Sequence, residues 1–259
     1  MDNETMVNKP LKVITKTKLT PVFEMIEEAS KTYFKNIKKF IEIYLRGLVG
    51  FIPFVALGLL FILLTSVSSV LDNIVVRTVM VLVIFIAGVW AIYYGIRVRA
   101  AMIILIKNNY NSPKDCFEDS KNFFWGYVWV SILSTLIIGL WAILLIIPGI
   151  IFAIYYLLFN YTFFFEGLTG MQAIRRSKEL VKGYWWAVFG RVMFIGLMAG
   201  IINIFLASPL SSMQEGGSAY VSYNALMNFI WALISPIIVI YIYDIFRDLV
   251  AIKAHANLK

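Results

Sequence analysis

The chain has 259 residues, is 61% hydrophobic and only 15% charged, and carries a net charge of +8. A soluble chain is about 45–50% apolar and about 25% charged, so this composition excludes an ordinary soluble domain. The mean hydropathy of +0.82 is concentrated in runs of the length that crosses the hydrocarbon core, and the absence of a long polar block points to a single domain.

Lys and Arg sit beside the apolar runs rather than in a separate basic domain. That is the pattern of topology signals and of attraction to anionic headgroups, so membrane lipids are the expected partners and nucleic acid is not. The one cysteine, Cys116, excludes an intrachain disulfide and reads as a small apolar residue on a helix face. The one histidine, His255, is far from it, which excludes a zinc set built from Cys and His. No cofactor or metal is expected.

In chain order, residues 1–19 hold Lys9, Lys12, Lys16 and Lys18 with no apolar period and read as a flexible basic tail. They lack the apolar core of a cleaved signal peptide, so the first apolar run is expected to act as an uncleaved anchor. Thr20-Pro21 offers a cap followed by proline at the first helical position. Beyond it Phe23, Ile26, Ala29, Tyr33, Phe34, Ile37, Phe40, Ile41 and Tyr44 recur mostly at three- and four-residue spacing. Glu24, Glu27, Glu28, Lys31, Lys35, Lys38 and Lys39 take the other face, which predicts an amphipathic helix in the interface.

The first crossing is read over 47–67, with Pro53 inside it as a kink, and the second over 77–96 after a short link at 68–76. Glu42 and Arg46 form an i,i+4 pair at the entrance. Ser112-Pro113-Lys114-Asp115 is a capping box opening a short amphipathic helix over 113–125. The third crossing is 126–147 and the fourth 150–165, with Pro148-Gly149 as the hairpin turn between them. The alternative is one long kinked helix, but some 40 apolar residues are about twice the bilayer thickness. Thr169 to Gln172 is a second capping box, leading a basic helix with Met171, Ile174 and Val181 near one face. The fifth crossing is 184–206, with Arg191 two turns inside and able to snorkel back. The sixth is 223–243, with Pro236 inside, and Asp244, Arg247, Asp248 and Lys253 follow in a short emergent helix. Residues 20–249 thus form a single six-helix domain and 250–259 a C-terminal tail.

Segments 1–46, 97–121 and 175–191, with the C-terminal tail, hold 22 of the 23 Lys and Arg. The positive-inside rule then places both termini in the cytoplasm and the chain in the cytoplasmic (inner) membrane. Trp125, Trp129, Tyr184, Trp185 and Trp186 fall near that interface. Ala29-Ser30-Lys31, Asp119-Ser120-Lys121 and Arg176-Ser177-Lys178 recur in the same relation to the apolar runs. The expected fold is therefore all-α integral membrane, with six transmembrane helices as three hairpins, each preceded by an amphipathic cytoplasmic interfacial helix. Coincidence within a generic six-helix layout is the competing account of the tripeptides.

Glu166 ends the fourth run and wants a partner, for which Arg175, Arg176 and Arg191 are candidates. One reading is a lipid-headgroup site or gating pair; the other, preferred, is an ion pair pinning the basic helix to the bundle. Arg175, Arg176, Lys178 and Lys182 are the candidate contacts for anionic lipid. Ser134, Thr135, Asn203 and Asn228 are the polar residues nearest the midplane, and such residues more often join helices than line a pathway.

The sequence from Ile147-Pro148-Gly149-Ile150 through Glu166-Gly167 to RRSKELVKG, Arg175 to Gly183, with aromatics after it, resembles the membrane domain of glycerophosphoryl diester phosphodiesterases and related bacterial six-helix membrane families. The resemblance implies an integral membrane module that in some proteins is fused to a headgroup-cleaving domain. That domain, with its paired histidines and metal-binding carboxylates, has no counterpart here. The expectation is a non-enzymatic membrane scaffold or accessory protein in lipid or envelope homeostasis, acting on anionic lipid or on a further membrane protein. A small-solute or lipid transporter built from three hairpins is the alternative.

Overall fold

The computed structural model describes residues 16–65 and 74–256. Among them every regular element is helical: α1 Val22–Leu48, α2 Ile52–Thr65, α3 Ile74–Lys107, α4 Pro113–Leu144, α5 Ile146–Tyr156, α6 Phe159–Glu166, α7 Gly170–Val181, α8 Trp185–Ala207 and α9 Ser218–Ala256. Short 3₁₀ turns occur at Val49–Phe51 and Ser208–Ser212. Six stretches are long and apolar enough to cross a membrane: Val22–Leu60, Val76–Lys107, Pro113–Ile143, Ile146–Glu166, Trp185–Leu210 and Ser218–Ala256. The most apolar window of Trp185–Leu210 is 0% buried inside the protein. Side chains such as Leu197, Ile204 and Phe205 are exposed and need an apolar medium around them. Residues 1–15, 66–73 and 257–259 lie outside the described residues, and with them the end of the expected first crossing and most of the 68–76 link.

The chain divides into two compact units, Lys38–Val128 and Met1–Ile37 with Trp129–Lys259. In the first unit, Pro53 does not kink the interior of a crossing. The α-helical ladder lapses into the 3₁₀ turn Val49–Phe51, and Pro53 falls in the first turn of α2, where no N–H donor is required. A Cβ on Gly50 would collide with Tyr94 and one on Gly47 with Val98, so these glycines let the backbone lie directly against α3. The expected helix 113–125 and the third crossing are a single 32-residue helix, α4. Its length is about 48 Å, well beyond the hydrocarbon core. Ser112 Oγ accepts the Asp115 N–H at its start. The unit buries Phe40, Ile43, Leu105 and Cys116, toward the charged ends of its helices.

In the second unit, the reversal after α4 is at Leu145, the one extended residue there (φ −157°, ψ 128°), and not at Pro148-Gly149. Pro148 lies in the first turn of α5, where its missing N–H costs nothing. A Cβ on Gly149 would stand 2.8 Å from Ala142 Cα, so this glycine permits the close pass. The rings of Trp141 and Phe152 stack at 4.7 Å. On one continuous helix those positions would be about 16 Å apart, so 126–165 is not one long kinked helix.

The fourth crossing is also interrupted. The α-helix stops at Tyr156 and restarts at Phe159. Ser177 of α7 occupies the gap: its hydroxyl donates to Tyr155 O at 2.8 Å and accepts the Leu158 N–H at 3.1 Å. Thr162 Oγ1 donates to Ala173 O at 2.9 Å. α7 buries Ala173, Ile174, Ser177, Leu180 and Val181. Its first residue, Gly170, takes φ 54° and Thr169 makes no side-chain cap, so the second capping box does not form. Gly183 at φ 90° separates α7 from α8.

α9 is one helix of 39 residues, so the emergent helix and the tail through Ala256 are its continuation. Pro236 deprives the Ala232 carbonyl of its usual N–H, and Ser235 Oγ donates to that carbonyl at 3.2 Å instead. Leu158, Phe164, Ile174, Leu180, Tyr241, Ile245 and Phe246 form the fully buried core of this unit.

Candidate functional site

The basic helix α7 is held in one orientation by the elements that precede it. Gly167, in the left-handed conformation at φ 70°, ends α6 and turns the chain back. Glu166 then faces Arg176, accepting Arg176 Nε at 2.8 Å and NH2 at 3.1 Å. This fork-to-fork pair is half-buried, and the hydrogen bonds that Arg176 donates to Glu166 hold its guanidinium above the usual arginine range. Glu179, one turn on, lies 3.7 Å from Arg176 NH1.

Glu166 of α6 and Glu179 of α7 thus both face Arg176. Met171, Arg175, Lys178 and Lys182 recur at four-, three- and four-residue steps, a single stripe opposite the buried face. All four are exposed. Lys178 Nζ stands 5.7 Å over the Phe152 ring and 5.8 Å over Tyr155. Lys253, from the far end of α9, donates to Lys182 O at 2.9 Å and stands 5.6 Å over Tyr184. Among the described residues no carboxylate lies within ion-pair distance of Arg175, Lys178, Lys182 or Lys253. The stripe is flanked by Trp186, which is 77% exposed.

Arg191 does not join this group. It donates through Nε and NH2 to Thr20 O, at 3.2 and 2.6 Å, and through NH1 to Ala187 O at 2.8 Å. Thr20 in turn is gripped by Asp248, which accepts the Thr20 hydroxyl at 2.6 Å, the Thr20 N–H at 3.0 Å and Lys16 Nζ at 2.7 Å. Residues 16–20, expected as the end of a flexible tail, are therefore tied down. Arg247 completes the cluster, 3.0 Å from Asp244 and 3.6 Å from Glu28.

In the other unit Arg97 is 2% exposed. Its Nε donates to Ser120 Oγ at 3.1 Å and its NH2 to Phe117 O at 2.7 Å, and it lies 4.2 Å over the Phe117 ring. Among the described residues no carboxylate pairs with it. The same unit has an apolar groove of about 250 Å³ lined by Pro53, Leu57, Val83, Ile86, Ala87 and Trp90. No polar side chain in it could select a solute.

The reading from sequence missed Asp248, Arg97, Ser177 and Lys253. The signal for the first two was present. Asp248 shares a helical stripe with Tyr241, Ile245 and Ile252, and Arg97 shares one with Trp90, Tyr94, Ala101 and Ile104. A charge on an apolar stripe is a buried charge. Among the described residues no three His, Cys, Asp or Glu side chains converge as metal ligands would. No protein-family model, curated protein or solved structure matches the chain.

Proposed function

We propose that this is a multi-pass scaffold or accessory protein of the cytoplasmic membrane, without enzymatic activity of its own, that engages anionic lipid in lipid or envelope homeostasis. Both termini are cytoplasmic, following the distribution of Lys and Arg. The six crossings are three hairpins, each led by an interfacial segment. The observation that carries the reading is the exposed cationic stripe along α7, while Glu166 at the end of α6 and Glu179 of α7 both face Arg176. Each Lys or Arg near an anionic surface contributes about 1 kcal/mol, and the exposed Trp186 belongs at the headgroup level.

The test is native mass spectrometry of the protein released from nanodiscs of mixed phosphatidylglycerol and phosphatidylcholine. Wild type should retain phosphatidylglycerol in excess of its bulk fraction, and Arg175→Gln/Lys178→Gln should not. Equal retention by both, or hydrolysis of glycerophosphodiesters by the purified chain, would refute the proposal.

One observation favours transport as a second reading. The fourth crossing is broken at 157–158, and Asn160 Oδ1 just beyond is buried with no hydrogen-bond partner. Broken membrane helices often border solute paths. Solute flux into proteoliposomes that is lost in Asn160→Leu would establish it.

A further inference from the structure

The cationic stripe has a length and a second source of charge that a single phosphate does not use. Arg175, Lys178 and Lys182 span seven residues of helical rise, about 10 Å. Lys253 is then added at the end of the stripe from α9, 71 residues away in sequence, with its ammonium on the Lys182 carbonyl. Lys253 thereby caps the C-terminal end of α7, and it adds a cation to a stripe that no carboxylate among the described residues neutralises. The carbonyl of Lys182 and the Tyr184 ring hold Lys253 in place but supply no full negative charge. Lys182 itself is exposed. Lys178, over Phe152 and Tyr155, is fixed in the middle of the stripe.

We infer that Arg175, Lys178, Lys182 and Lys253 form a seat for a lipid headgroup bearing two phosphates, one held toward Arg175 and Lys178, the other by Lys182 and Lys253. This rests on the anionic-lipid reading above and adds the ligand class and Lys253. A two-phosphate headgroup places both charges on the stripe for one ordering cost. Two single-phosphate lipids incur that cost twice.

The full-length protein in neutral detergent is titrated with diphosphatidylglycerol, and separately with phosphatidylglycerol at equal phosphate. Binding is read by native mass spectrometry. Wild type should favour the two-phosphate lipid, phosphate for phosphate, by about fivefold or more, the worth of one extra basic contact. Lys182→Gln and Lys253→Gln should each remove that preference, read as the ratio of the two lipids' affinities per phosphate within the same variant. Lys253→Arg should restore it. Lys182→Gln guards against misfolding, because its ammonium is exposed and the backbone carbonyl that accepts Lys253 remains. Equal affinity per phosphate in wild type, or a preference that survives both Gln variants, overturns the inference while leaving the anionic-lipid reading intact. Failure of wild type to bind either lipid overturns both.

Discussion

Asp248→Ala should release residues 16–20 from α9. Three donors converge on this carboxylate: Lys16 Nζ at 2.7 Å, Thr20 Oγ1 at 2.6 Å and Thr20 N at 3.0 Å. The Asp248 side chain is 1% exposed and that of Lys16 28%, so solvent does little to weaken the grip. Hydrogen bonds to a charged group are worth about 1.5–3 kcal/mol each, and removing one partner of a buried pair costs about 3–5 kcal/mol. Only part of this is lost locally, because Arg191 still holds the Thr20 carbonyl. A cost of about 3–4 kcal/mol raises the open population of the strap by about 10²–10³-fold. The assay is limited trypsin cleavage after Lys16 and Lys18 in nanodiscs, under conditions where cleavage tracks the open population. Asp248→Asn, which keeps an acceptor but not the charge, should fall between wild type and Asp248→Ala. Unchanged cleavage in Asp248→Ala, with the helical content intact, would refute the view that this carboxylate anchors the strap.

Ser177→Ala strands the Leu158 N–H and the Tyr155 carbonyl at the break in the fourth crossing. It should destabilise that region by about 2–4 kcal/mol, seen as faster amide exchange at Leu158. Gly149→Leu drives a side chain into the Ala142 backbone and should cost about 1–3 kcal/mol in a detergent-unfolding titration. A double-mutant cycle on Glu166→Gln and Arg176→Gln should give a coupling of about 1 kcal/mol, modest because the pair is only half-buried, and reduced by salt. A coupling near zero would make the pair incidental to the placement of α7.

The helical class and the six apolar stretches were legible because a 20-residue apolar run has few alternatives. The breaks were legible only in part. Pro53 and Pro148 were visible, but proline costs least in the first turn of a helix, and both helices begin just upstream of it. The chain therefore turns or tightens before each proline rather than at it. The gap at 157–158 has no Gly or Pro to announce it. It depends on a serine from another helix, a contact outside any local window. The Glu166 to Arg176 pairing was one of three candidate pairings in the sequence, and only the fold chooses among them. The fate of Arg191 turns on Thr20, 171 residues away.

The repeated tripeptides acquire a physical meaning from these contacts. Ser120 and Ser177 are both fully buried. Ser120 bonds to Arg97, about three turns before α3 ends, and Ser177 bonds across the break between α5 and α6, at Leu158 about two turns before α6 ends. Among the described residues Ser30 has no such bond, and the corresponding depth on α9 is occupied by Asp248, gripping Lys16 and Thr20 ahead of α1. At each junction a polar side chain supplies hydrogen bonds close to the charged ends of apolar helices. The well-packed cores lie at those same ends, while the apolar stretches between them remain largely unburied. A protein that recognised a solute in its interior would concentrate order there. This one concentrates its buried packing at the charged ends of its helices. Ser177, Thr162 and Glu166 fix the rotation of α7 and so the face on which the stripe of cations lies. A fixed row of charges distinguishes a two-phosphate headgroup from two separate ones far better than flexible lysines on a mobile loop would.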